Sequence, residues 1–252
     1  MKVVTFNIRC DYDQENTNSF RYRKPLILQK IEKEKPDIIC FQEVLPHVAI
    51  WLKDNLTDYY VIGCGRDENL VDEQTSIAYK KRLFNLIDME VFWLSETPYV
   101  IASRYSDQSI CPRICTKALF QNLENNKLFY IYNTHLDHIG FQARRLGLNL
   151  ILDKMKVDRS FISAPALLAG DFNMLPDSAE MEVLQQYANM VDLTTSIEGT
   201  FHEFGALEKP EKIDYIITDK EFRCSQVSIW DDCSQGIYLS DHFPVCVEIY
   251  TI

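Results

Sequence analysis

Short apolar runs alternate along this chain with longer amphipathic stretches, and most of the apolar runs end on a polar residue. Runs of the first kind predict strands, and apolar residues at helical spacing predict helices. The predicted strands cover residues 2–8, 37–42, 59–64, 75–80, 84–93, 116–123, 127–135, 165–170, 213–218, 226–230 and 245–251. The predicted helices cover residues 23–34, with Pro25 near the start, and residues 46–55, 141–156 and 178–187. This alternation indicates an α/β architecture with helices outside a sheet.

The order strand, helix, strand, helix occurs in both halves of the chain, with polar residues at matching strand ends. These residues are Asn7, Gln42 and Glu43 in the first half and His135, Asp171 and Asn173 in the second. The pattern resembles an internal duplication that would bring both sets of strand ends to one rim. Because no linker rich in proline, glycine or serine interrupts the chain, a single domain over residues 1–252 is expected.

Composition and charge narrow the possible substrates. A chain of 252 residues with 46% hydrophobic residues can bury a large core. Its formal net charge is −11, and it has no run of more than three basic residues. Proteins that hold long duplex nucleic acid need a basic surface. This negative net charge therefore favours a small or single-stranded phosphodiester, or a lipid head group, as the substrate. It disfavours duplex nucleic acid that is bound non-specifically.

Cysteine usage and the chain start point to a soluble, cytoplasmic protein. The eight cysteines are scattered, and a chain of this size is stable without disulfides. Cys40 and Cys246 lie within apolar strands and are expected in the core, while Cys111 and Cys115 lack the spacing of a structural zinc site. The chain shows neither a signal-like start nor an apolar run of ~18 residues, so no membrane span is expected.

Oxygen ligands for a divalent cation occur at three strand ends. Glu43 follows a buried strand, so its carboxylate needs a compensating partner, which could be a salt bridge, a helix N-terminus or a metal ion. The presence of Asn7 and Asp241 favours the metal, because Mg²⁺ prefers a few oxygen ligands and keeps its waters.

Asp171 and Asn173 are two residues apart, so a continuing strand would point both into one pocket, whereas an Asx-turn is the alternative. His135 and His242 offer imidazoles for proton transfer and charge stabilisation, although a lone histidine at a strand end is more often structural.

Six blocks, in this order, resemble the endonuclease/exonuclease/phosphatase superfamily of metal-dependent phosphoesterases. They are Phe6-Asn7, Gln42-Glu43, Asn133-Thr134-His135, Gly170-Asp171-Phe172-Asn173, Ile213-Asp214-Tyr215 and Ser240-Asp241-His242. The resemblance implies a four-layer α/β/β/α sandwich of two packed, mostly antiparallel mixed sheets with outer helices.

The resemblance also implies roles for individual residues. Glu43 would be the principal ligand of Mg²⁺, or of Mn²⁺, with Asn7 and Asp241 nearby. Asp171 would orient or deprotonate the attacking water, and Asn173 would position the phosphate. Asp214 would hold a protonated His242 that stabilises the transition state.

Two positions distinguish branches of the superfamily. The resemblance implies that His135 acts in catalysis and in substrate binding. A histidine at this position resembles the nuclease, deadenylase and sphingomyelinase branches, whereas the abasic-site repair branch has Tyr there. Arg9 replaces a second metal-proximal Asp of that repair branch. The segments 92–98 and 112–116 resemble an uncharacterised bacterial subgroup near the deadenylase-like branch. Within the second segment, Arg113 would bind a substrate phosphate or form a surface ion pair.

The function expected from these features is a phosphodiesterase that acts on single-stranded nucleic acid or a small phosphoester, without an obligate protein partner. A phosphomonoesterase and a lipid head-group phosphodiesterase are alternatives within the same fold. An inactive binding module is the alternative from another class. The pattern assigns no role to Arg9, His138 or His202.

Overall fold

Strands and helices alternate in the computed structural model, which describes residues 1–187 and 189–251. The strands of this part of the chain are β1 Lys2–Asn7, β2 Ile38–Gln42, β3 Tyr59–Ile62, β4 Ile77–Lys80, β5 Phe84–Trp93, β6 Ile114–Asn122, β7 Leu128–His135, β8 Ala166–Asp171, β9 Met190–Asp192, β10 Asp214–Asp219, β11 Phe222–Ile229, β12 Cys233–Ser234, β13 Ile237–Tyr238 and β14 Val245–Thr251. The helices are α1 Phe20–Glu34, α2 Pro46–Asn55 and α3 Phe141–Phe161, with 3₁₀ segments at Ala179–Gln186 and Glu203–Gly205.

Two six-stranded sheets contain all of these strands except β12 and β13, which pair with each other. The strand order is β11-β14-β1-β2-β4-β3 in the first sheet and β5-β6-β7-β8-β10-β9 in the second. Among the described strands, each sheet has one parallel pair, β1 with β2 and β7 with β8, and its other neighbours are antiparallel. Parallel neighbours end at the same edge, so each sheet presents two adjacent strand ends there.

The sheets pack face to face, and the helices cover their outer faces. Successive residues of a strand point to opposite faces, so Val3 of β1 packs against the second sheet while Val4 packs beneath α1 and α2. In the second sheet, Leu167 of β8 faces the first sheet and Leu168 packs beneath α3. The expected four-layer α/β/β/α sandwich is confirmed.

Three helical predictions need correction. α1 begins at Phe20 rather than at residue 23, because the Ser19 side chain accepts the backbone N–H of Arg21 and caps the helix start. α3 continues to Phe161 rather than ending at residue 156. Val157 and Phe161 are exposed in its last turns, so the apolar pattern stops before the helix does. The segment expected to be a helix over residues 178–187 is a 3₁₀ segment.

A buried polar contact fixes one sheet on the other. Gln42 Nε2 donates to Asn133 Oδ1 at 2.7 Å, and Asn133 Nδ2 donates to the carbonyls of Phe41 and Ser76 at 2.8 and 2.9 Å. Leaving any of these buried groups unpaired would cost about 1–3 kcal/mol. The contact therefore sets how the ends of β2 and β7 face each other.

The cysteines agree with expectation, because all eight are free and both Cys40 and Cys246 are buried. Among the helices of the described residues, none is long and apolar enough to cross a membrane.

Candidate active site

The two parallel strand pairs bring polar side chains from both sheets to one rim. Asn7 lies opposite Gln42 in the β1–β2 register, and His135 lies opposite Asp171 in the β7–β8 register. Asn7 Nδ2 is 2.9 Å from Glu43 Oε1 and 2.9 Å from Asp171 Oδ2. A single amide therefore joins the carboxylates at the ends of the two sheets.

An open cavity of about 1050 Å³ lies at this rim. Seven of the nine residues expected at the site line it, namely Glu43, Arg113, His135, Asp171, Asn173, Asp241 and His242. The other two, Asn7 and Asp214, are buried behind the wall and hydrogen-bond to residues that line it.

Arg9 links the two carboxylates expected to bind metal. Its Nε is 3.2 Å from Asp241 Oδ2, and its Nη1 is 3.7 Å from Glu43 Oε2. Glu43 Oε2 also accepts the backbone N–H of Cys10 at 2.6 Å. The oxygen of the Asn7 side chain accepts the backbone N–H of Arg9 at 3.0 Å, so Asn7 orients the carboxylates through its nitrogen.

The donor atoms at the rim fit a divalent cation. Ligand atoms of Glu43, His135 and Asp171 all lie within 4.8 Å of one another. Burial, and then the charge of Asp214, raises the pKa of Asp171 to about 7. A cation beside Asp171 would offset this crowding of negative charge, and hard cations prefer carboxylate oxygens. Asp241 lies outside this close group.

His242 and Asp214 form the contact expected of a dyad. His242 Nδ1 is 2.8 Å from Asp214 Oδ2, and both side chains are almost fully buried. Burial lowers the pKa of His242, but the charge and hydrogen bond of Asp214 outweigh it and raise this pKa to about 10. The imidazolium therefore donates to Asp214, and its Nε2 lies 3.8 Å from Asp171 Oδ2.

His135 has the opposite electrostatic character. Burial, followed by the charge of Arg113, lowers the pKa of His135 well below its usual value, so the ring is neutral. Asn173 Nδ2 donates to His135 Nε2 at 3.1 Å, which places the ring proton on Nδ1. His135 Nε2 is also 3.6 Å from Asp171 Oδ2.

Of the two alternatives for Asp171 and Asn173, the structure has the Asx-turn and not a continuing strand. Asn173 has φ 51° and donates its backbone N–H to Asp171 Oδ1 at 2.9 Å. This is the turn considered as the alternative, and it forms because the Asp171 side chain competes for the backbone N–H. Both side chains nevertheless line the cavity.

Arg113 is buried rather than part of a surface ion pair. Its Nη2 lies 2.9 Å from His138 Nδ1, and its Nε lies 3.5 Å from Asp137 Oδ2. Asp137 in turn accepts the backbone N–H groups of Ser109, Ile139 and Gly140, which fixes the loop after β7. His138 lines the cavity beside Arg113.

Parts of the wall lie outside the sequence blocks that carry the family resemblance. The acidic segment 67–73 reaches the cavity through Glu73, which pairs with Arg66 at 2.9 Å. Phe204 lines the cavity, whereas His202, to which the sequence pattern assigned no role, is stacked on Phe243 with ring centroids 3.9 Å apart. The acidic run was a signal for Glu73, but its buried arginine partner was not apparent from the sequence.

Comparison with known proteins identifies the family. The sequence profile of the endonuclease/exonuclease/phosphatase family matches residues 4–242, a stretch that includes every block at the rim. The chain belongs to this family. It therefore has a phosphoesterase fold, and enzymes of the family depend on divalent metal ions.

Three relatives illustrate the similarity, which extends over 98–100% of this chain. A family member from Bacteroides vulgatus is 33% identical with a TM-score of 0.92, covering 100% of this chain and 98% of that one. A mannosyl-6-phosphatase from Bacteroides thetaiotaomicron is 28% identical with a TM-score of 0.90, covering 99% of each chain. An uncharacterised protein of Acanthamoeba polyphaga mimivirus is 27% identical over 98% of this chain and 99% of its own length.

Proposed function

We propose that this chain is a divalent-metal-dependent phosphoester hydrolase in which water attacks phosphorus in line with the leaving oxygen. One arrangement carries the proposal. The buried carboxylate of Asp171 is held by Asn7 and by the backbone N–H of Asn173, and it lies within 4 Å of two imidazoles. The same amide of Asn7 holds Glu43, the carboxylate that would bind the cation.

Glu43 would hold Mg²⁺ or Mn²⁺ on the side of His135 and Asp171, where donor atoms of all three residues lie within 4.8 Å of one another. Asn7 contacts Glu43 directly, and Asp241 is linked to Glu43 through Arg9. When bound, the cation supplies positive charge to a non-bridging oxygen or to the leaving oxygen of the phosphate. Arg9 contacts both Glu43 and Asp241 and so keeps their side chains oriented.

The other residues act on water and phosphate. Asp171 takes a proton from the water as its oxygen bonds to phosphorus, and the bond between phosphorus and the leaving oxygen breaks. The imidazolium of His242, held by Asp214, stabilises negative charge that develops on the phosphate oxygens. Arg113 donates to the phosphate. Asn173 would position the phosphate, and the contacts of its Nδ2 with His135 Nε2 and Leu136 O keep its side chain aligned.

A phosphodiester is the first candidate for the bond that is cleaved, because the site resembles the nuclease and deadenylase branches. A phosphomonoester is the second candidate. It is favoured by the similarity to the Bacteroides thetaiotaomicron mannosyl-6-phosphatase over 99% of both chains.

Hydrolysis of phosphomonoesters and phosphodiesters with Mg²⁺, Mn²⁺ or EDTA tests the proposal. Glu43→Gln should weaken metal binding and remove most turnover while the fold stays intact. Glu32→Gln, the same change at an exposed position of α1, serves as the matched control. Undiminished hydrolysis in EDTA, or equal activity of both variants, would contradict a metal role for Glu43.

A further inference from the structure

The cavity wall carries far more negative than positive charge. Among the described residues that line it are eight Asp or Glu side chains, three arginines, three histidines and no lysine. Arg9 lies between two site carboxylates, and Arg66 lies between Asp72 and Glu73. Because single-stranded nucleic acid is held by cations along its backbone, a strand with several phosphates would find almost none here.

Among the described lining residues, Arg113 is the arginine with buried guanidinium nitrogens that have no hydrogen-bond partner. Its side chain is 5% exposed, and its Nε forms an ion pair with Asp137 Oδ2 at 3.5 Å, but neither Nε nor Nη1 has a hydrogen-bond partner. A buried guanidinium gains strongly from an anion that completes its bonds, and its planar fork matches phosphate oxygens. The wall is therefore suited to one phosphate group.

A turn in the left-handed region forms another part of the wall. Glu203, Phe204 and Gly205 have φ of 51°, 53° and 85°. A bulky residue such as Phe204 seldom adopts this conformation, which persists only where surrounding contacts enforce it. Here the N–H groups of His202 and Glu203 donate to Asp241 O at 2.8 and 3.2 Å, and the N–H of Gly205 donates to His202 Nδ1 at 3.0 Å.

The side chains near this turn are aromatic, acidic or neutral and polar. Phe201 and Phe204 present half-buried rings to the cavity, and the carboxylate of Glu203 is exposed beside them. The amides of Asn16 and Asn18 also line the wall. Rings pack against the C–H groups of a sugar, and carboxylates and amides bond to its hydroxyls.

A cationic head group fits this wall less well. The guanidinium of Arg23 already lies 5.9 Å from the centroid of the Phe204 ring. A ligand cation on Phe204 would therefore approach a like charge, which opposes the cation–π attraction.

We propose that Phe204 and Glu203 select a substrate whose organic part is an uncharged ring bearing hydroxyl groups, with a single phosphate bound at Arg113. This inference rests on the phosphoester hydrolase function proposed above. It holds for either ester type, because the turn contacts the organic part and not the bond that breaks.

A substrate panel within each ester class tests the selection. The monoesters are mannose 6-phosphate, phosphocholine and a nucleoside 5′-monophosphate, and the diesters are glycerophosphoinositol, glycerophosphocholine and a single-stranded oligonucleotide. In the class that is hydrolysed, the sugar-like ester should have a kcat/KM at least about tenfold above the others. A choline ester or a nucleotide as the best substrate would overturn the selection alone, whereas no metal-dependent turnover of any ester would overturn the hydrolase function itself.

Two variants test the turn directly. Phe204→Leu removes the ring, and Glu203→Gln removes the charge at nearly constant shape. Each should raise KM for the preferred ester about three- to tenfold, with a smaller change for p-nitrophenyl phosphate. Glu208→Gln, on the same loop but not lining the cavity, is the matched control and should raise neither KM. Equal increases in KM for the preferred ester and for p-nitrophenyl phosphate, at unchanged thermal stability, would show that the turn does not contact the organic part of the substrate.

Discussion

Gly170 is the position next to the site where one added carbon atom should have the largest effect. It pairs with Thr134 across the parallel strands β7 and β8, and its φ is 154°. A Cβ atom at this position would lie 2.0 Å from the carbonyl oxygen of Thr134. That oxygen belongs to the backbone of the neighbouring strand, so no side-chain rotation can relieve the clash and the strands must move apart.

The magnitude of the Gly170→Ala effect has two parts. A non-glycine residue in a disfavoured backbone region costs about 1–3 kcal/mol. Forcing a strand away from its neighbour costs about another 1–3 kcal/mol, as overpacking does in a core. Gly236→Ala is the matched control, because Gly236 also has a positive φ, 80°, but no atom lies within 4 Å of its added Cβ. Gly236→Ala therefore carries only the cost of the disfavoured backbone conformation.

Urea unfolding followed by circular dichroism measures both variants. Gly170→Ala should lower the free energy of unfolding by about 2–6 kcal/mol, and Gly236→Ala by only the backbone part. Phosphoester hydrolysis should fall in Gly170→Ala alone, because Asp171 and His135 move with the displaced strands. Equal losses of stability in the two variants, or an unchanged rate in Gly170→Ala, would refute this reasoning.

Three further predictions concern protonation, catalysis and the sheet interface. Burial, and then the charge of His242, lowers the pKa of His202 from 6.5 to about 4, so the folded state disfavours its protonation. The free energy of unfolding should therefore be fully retained above pH 6.5 and fall by up to about 1 kcal/mol per pH unit towards pH 4. His202→Asn should flatten this dependence in urea titrations, and an unchanged slope would exclude His202 as its source. Asp171→Asn and His242→Ala should each slow single turnover about 100- to 10,000-fold, and their combination should fall well short of the product of the two losses; full multiplicativity would show that they act independently. Gln42→Met should cost about 1–3 kcal/mol because it leaves Asn133 Oδ1 unpaired, and a stability equal to that of the parent in urea would show that the contact is dispensable.

Elements with a clear apolar period could be predicted, and those without one could not. β1 and β2 were predicted within a residue or two because their side chains are buried on both faces. The prediction for residues 226–230 captured only the end of β11, because the register shift between Cys224 and Gln226 breaks the alternation. β9, β12 and β13 have two or three residues each, too few to show any period.

At the site, the sequence indicated which residues carry chemistry but not how they are held. The Asp214–His242 contact could be expected from the family pattern, and its hydrogen bond is present. The ion pair of Arg9 with Asp241 joins residues from opposite ends of the chain, so no local pattern signals it. The sequence did not indicate Phe204, because the feature that distinguishes this residue is its left-handed backbone conformation. A bulky side chain gives no reason to expect that conformation.

The amide of Asn7, which contacts carboxylates from both sheets, has a consequence for the order of folding. Its contact with Asp171 joins residues 164 positions apart, and the contact exists only after the two sheets have docked. Closing so long a loop is slow, and neither half of the chain contains both residues of this contact. During refolding, circular dichroism should therefore recover before activity does, and an intermediate with only one sheet formed would have half of the rim and no working site.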